Sequence, residues 1–146
     1  MAKRIIRIAL EVLSLLILLG TVAFLIIYWK RIPAQVPMHF NGRGEVEGMS
    51  GKVALLVTPV VMAVVYVSLF FTKTMRFRSL GREVLLPAPA LLFPTMKLAL
   101  LAGLAYLTVC AALVRPVGAW FLPIFLAATL LPMLIVTVLT LPKLKQ

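Results

Sequence analysis

A chain of 146 residues has room for one domain, and with 63% of them hydrophobic and 13% charged it cannot bury its apolar surface in a water-soluble core. A mean hydropathy of +1.12 makes lipid the solvent. The net charge of +11 invites a nucleic-acid partner, but the Lys and Arg residues stand in short groups between apolar runs, which excludes that partner and assigns the charge to membrane orientation.

The N-terminus, MAKRIIR before a long apolar run, has the look of a signal peptide. The run is too long for one and no small-x-small cleavage site follows, so the expectation is a retained anchor helix over about 8–29. Glu11 is the sole acid inside a span and lies one turn from Arg7, so the two can pair at i, i+4 near the membrane boundary. The functional version of that pair is a proton or ion relay, since intramembrane carboxylates mark pathways.

Residues 36–48, VPMHFNGRGEVEG, hold the single histidine, His39, and two of the four acidic residues, Glu45 and Glu47. Pro33 and Pro37 stiffen the exit from the first span, and Asn41-Gly42 signals a turn. Gly44 and Gly48 add backbone freedom, and together these features predict a small ordered hairpin or cap over one end of the bundle. His39, Asn41, Glu45 and Glu47 offer an imidazole, an amide oxygen and two carboxylates, a mixed set that suits zinc or manganese better than calcium. The plainer reading of the same residues is a hydrogen-bonded loop in which His39 ties the turn to the helix ends.

A second span over about 53–72 contains Pro59, which should kink it. The basic run TKTMRFRSLGR and the proline-broken EVLLPAPALLFPTMK are too interrupted to span. They read as an interfacial segment whose arginines reach lipid phosphates, or as a docking surface for another membrane protein. A third span over about 97–115 is extended by a snorkelling Lys97. Ala99 and Gly103 there form a small-xxx-small pair, a close contact within the bundle or in a homo-oligomer. Cys110 is alone and excludes an intrachain disulfide. A fourth span covers about 120–141, with Pro123 near its start and Pro132 within it.

The fold class is therefore an all-α integral membrane protein, a single domain over 1–146 built as a four-transmembrane-helix bundle with an ordered extracytoplasmic loop between helices 1 and 2. Orientation follows from the basic flanks. Lys3, Arg4, Arg7, Lys73, Arg76, Arg78, Arg82, Lys97, Lys143 and Lys145 fall on one side, against Lys30, Arg31, Arg43, Lys52 and Arg115 on the other. That bias puts both termini in the cytoplasm and the His39 loop outside. Signatures such as HExxH, GxSxG and GxxxxGK[ST] are missing, and one His with one distant Cys makes no nucleophilic pair, so no enzyme is expected.

The run IPAQVPMHFNGRGEVEGMSGKVALLVTP resembles the extracytoplasmic signature of a bacterial membrane domain of unknown function (DUF 1648), shared with the first half of SdpI-type immunity proteins. Pro33, Pro37, His39, Phe40, Asn41, Gly44, Gly48, Lys52 and Pro59 carry the resemblance, which covers roughly residues 20 to 72. Glu47 stands where the family usually has an aspartate, and the Gly-Ile-Arg-Thr-Pro-Trp run of the SdpI second half does not occur after Phe71. The resemblance implies a small non-enzymatic protein of the bacterial cytoplasmic membrane with an immunity or sensing role, its loop recognising an extracellular peptide, a partner protein or a metal. The alternatives are an accessory subunit of a membrane transporter or protease, and a small ion or metal transporter using Glu11 and the loop ligands.

Overall fold

In hydrocarbon every backbone amide must find its partner inside the chain, so long apolar runs become helices. The computed structural model describes residues 2–71, 75–79, 82–86 and 91–140. The first helix, α1 (Ala2–Tyr28), leads into strand β1 (Gln35–Phe40), strand β2 (Val46–Gly51) and a 3-10 turn over Lys52–Leu56. Helix α2 (Val57–Phe71) follows, then strands β3 (Met75–Ser79) and β4 (Arg82–Leu86), helix α3 (Leu92–Ala112) and helix α4 (Phe121–Thr140). Three stretches, Ala2–Tyr28, Lys52–Phe71 and Leu92–Ala112, are long and apolar enough to cross a membrane, and α4 adds a shorter apolar stretch, Phe121–Ile135.

The architecture is mostly helical, with two antiparallel hairpins: β1–β2, where a small hairpin or cap is expected from the sequence, and β3–β4, which is not. The segment expected to lie flat at the interface holds the second hairpin, in the register Met75↔Leu86 to Ser79↔Arg82. Pro87 and Pro89 within that segment, and Lys73, Lys143 and Lys145 of the basic count, lie outside the described residues.

Helix α3 is the hub. It packs against α1, α2 and α4, and its buried residues, among them Lys97, Leu101, Gly103, Thr108 and Ala111, spread over about half of its circumference, with Ala102 and Tyr106 on the open side. In contrast α1 buries a single stripe, Ser14, Thr21 and Leu25. Both hydroxyls of that stripe are satisfied on their own helix: Ser14 donates to the Leu10 carbonyl at 2.7 Å and Thr21 to that of Ile17 at 2.8 Å. No unpaired polar group is therefore carried into the α1 face.

Three proline and lysine expectations change. Pro59 does not kink a helix interior, because α2 begins at Val57 and Pro59 sits in its first turn, where no intrahelical donor is needed. Pro94 does not keep the third helix from starting, for the same reason: α3 opens at Leu92 rather than 97. Lys97 therefore lies inside the helix, and it is buried rather than snorkelling.

Small residues let α4 approach. A Cβ placed on Gly103 would lie 2.2 Å from the Phe125 ring, so only glycine fits beneath that ring. Phe125 stacks on Phe121 (5.5 Å between centroids), and Phe121 on Tyr106 (5.2 Å), whose hydroxyl donates to the Val117 carbonyl at 3.0 Å.

The end of α3 is strained. Val114 N–H donates to Ala111 O and Arg115 N–H to Cys110 O, the paired bonds of a Schellman cap, with Val114 at φ 52. A β-branched residue is poorly suited to that left-handed position, which glycine adopts freely. Val114→Gly is expected to raise stability by about 1 kcal/mol, measured as thermal unfolding in detergent micelles.

Candidate functional site

The loop that concentrates the polar residues is a hairpin seated on one end of the bundle. Asn41 organises its turn. The side-chain oxygen accepts the N–H groups of Arg43 (2.9 Å) and Glu45 (3.0 Å), and its amide nitrogen donates to Glu45 Oε2 at 2.9 Å. The Asn41 backbone adds bonds with Glu45 O and Gly44 N. An Asn-centred turn of this kind closes without help from the strands.

Gly44 ties the tip to the rest of the molecule. Its φ is 77, its carbonyl accepts the Val117 N–H at 2.9 Å, and a Cβ there would lie 2.4 Å from Gly118 O. The hairpin tip therefore meets the connection between α3 and α4 backbone to backbone.

Beneath the strands, Val36 packs with Leu25 and Ile32, Leu55 of the 3-10 turn, and Ala111 and Ala112 of α3; Phe24, Trp29, Met38 and Phe40 close the cluster. Lys52 fastens the other side of the base, donating to Trp29 O at 3.4 Å with its ammonium 5.1 Å from the centroid of the Trp29 ring. A cavity of ≈ 120 Å³ remains under the hairpin, lined among others by Pro37, Met38, Phe40 and Thr108.

The register departs from a regular ladder on both sides of His39. Pro37 pairs with Met49, His39 with Gly48 and Phe40 with Val46, so Met38 and then Glu47 have no partner opposite. Bulges of this kind re-aim side chains locally. Here Val36 and Pro37 are buried while His39, Val46, Glu47 and Met49 are exposed.

Of the four loop residues expected to hold a metal, Asn41 and Glu45 come together, and their contact is with each other and the turn backbone. His39 lies opposite Gly48 and Glu47 occupies the bulge. Among the described residues no three His, Cys, Asp or Glu side chains gather as a metal set. Pro37, Phe40, Gly44 and Gly48 of the loop signature all fall within the hairpin.

Glu11 has a different partner from the one its neighbourhood implies. It pairs with Lys97 of α3, the one ion pair among the described residues, while Arg7 is exposed. Sequence reasoning missed this pairing because it joins residues 86 positions apart.

Comparisons with curated proteins and with solved structures find no match. A family match covers the hairpin with the adjoining parts of α1 and α2, and leaves Glu11 and Lys97 outside: residues 16–63 match the family described as a domain of unknown function (DUF1648).

Proposed function

We propose that the chain is a non-enzymatic bacterial membrane protein of four spans, both termini cytoplasmic, whose outward β1–β2 hairpin recognises an extracellular peptide, as an SdpI-type immunity or sensing domain would. The observation that carries this reading is a hairpin fixed from beneath and open above. Its lower face and tip are held by the Val36 cluster and Gly44, while Val46 is 41% and Met49 48% exposed beside an exposed His39. Apolar area beside a hydrogen-bonding side chain gives a partner both a surface to cover and a group to bond.

Peptide recognition also suits the topology. A two-stranded sheet leaves an unpaired edge on each strand, and an extended peptide adds to such an edge through main-chain hydrogen bonds. Strand β2, which contains no proline, is the better edge, because Pro37 removes a donor from β1. The charge bias along the chain supports the outward orientation.

The test is protection of cells. Cells producing the protein are expected to survive better against a panel of membrane-active peptides, His39→Ala should remove that protection at unchanged protein level, and the charge-free pair Lys97→Met/Glu11→Gln should retain it. Protection that persists in His39→Ala, or vanishes with Lys97→Met/Glu11→Gln at unchanged protein level, would overturn the proposal in favour of transport chemistry.

A further inference from the structure

At the end of the bundle opposite the hairpin, three helices converge on one ammonium group. Lys97 of α3 is wholly buried and donates to Glu11 Oε2 of α1, a carboxylate that is itself 15% exposed. From α2, the Tyr66 ring centroid lies 4.3 Å and the Phe70 centroid 5.4 Å from Lys97 Nζ. The two rings are one helical turn apart and stack on each other at 6.2 Å.

A carboxylate together with two aromatic faces is cation-binding chemistry: the carboxylate supplies charge and a hydrogen-bond acceptor, and the ring faces supply quadrupole attraction. The pair is also not the simplest way to join helices. Apolar side chains of similar volume usually hold a buried junction as well or better. From Tyr28 to Glu11 the helix rises about 25 Å at ~1.5 Å per residue, within a hydrocarbon core of ~30 Å. A charge pair at that depth is a functional feature by default.

We infer that this junction is an ammonium-binding site whose built-in occupant is Lys97, and that it takes the primary ammonium of a short alkylamine when that occupant is withdrawn. Withdrawal has a physical route. Lys97 sits in the second turn of α3, near the helix start at Leu92, and a lysine stem there can swing its head group to the membrane surface. The class of ligand follows from Glu11. Its oxygen accepts an N–H from the resident ammonium, which a primary ammonium can reproduce and a quaternary one cannot. The site lies outside the residues matched by the family and is independent of the hairpin's role.

Lys97→Ala removes a three-carbon stem with its ammonium, the atoms of n-propylammonium. The experiment titrates n-propylammonium into the purified full-length variant in detergent micelles and follows the Tm, with tetramethylammonium and n-propanol as controls at equal ionic strength. Expected is a saturable rise of several degrees for Lys97→Ala with n-propylammonium alone. Neither wild type nor Lys97→Ala/Glu11→Gln should respond. No selective rise in Lys97→Ala, or an equal rise in the double variant, overturns the inference. Should Lys97→Ala not fold, the cage is read with Lys97 in place: Tyr66→Phe keeps the ring face and should keep the Tm, while Tyr66→Leu should lower it. Equal Tm values for those two variants overturn the inference as well.

Discussion

Lys97→Met is expected to destabilise the protein by about 3–5 kcal/mol, because it leaves the Glu11 carboxylate without its partner in a low-dielectric junction. Glu11→Gln should be costly too, since it strands the wholly buried ammonium. The combination Lys97→Met/Glu11→Gln removes both charges and should recover most of the loss, as buried pairs replaced by apolar or neutral groups commonly do. Denaturant or thermal unfolding of the three variants in one detergent settles the point. A Lys97→Met protein as stable as wild type, or a double variant as unstable as the worse single, would contradict the pairing.

Gly44→Ala is the second large effect. A methyl there must displace the Gly118 backbone and hold a left-handed conformation, which together cost upwards of about 2 kcal/mol. The loss should be local in its signature: the Val117 amide, bonded to Gly44 O, should exchange with deuterium much faster while the α1–α3 amides keep their protection. Gly42→Ala is the control. Nothing lies within 4 Å of a Cβ at that position, so its effect should stay within about 0.5 kcal/mol.

Much of this architecture was legible along the chain. The apolar runs foretold the helices, and Asn41-Gly42 between proline-stiffened segments foretold the hairpin, since turn chemistry is local. Other features depended on where elements begin. Pro59 and Pro94 read as kinks or breaks only until the helix starts at Val57 and Leu92 place them in first turns. The ion pair was hidden for another reason. Arg7 is Glu11's neighbour in sequence, whereas Lys97 is its neighbour only through the packing of α1 on α3, which no local pattern encodes. A signal did exist: one acid and one base lie at comparable distances from the same end of their helices, in otherwise apolar surroundings. The strain at Val114 was invisible as well, because valine carries no sign of the left-handed conformation that the cap imposes.

Both ends of the bundle thus carry something beyond packing: a docked hairpin with an open face at one, a caged ammonium at the other. The reading of the first depends on the hairpin facing outward. Gly42→Cys places a thiol at the hairpin tip with open space around it, while the native Cys110 is buried and supplies the background. Treating intact cells with a membrane-impermeant maleimide measures the side directly. Gly42→Cys is expected to label in intact cells as fully as after lysis, and labelling that appears only after lysis would contradict the outward orientation of the hairpin.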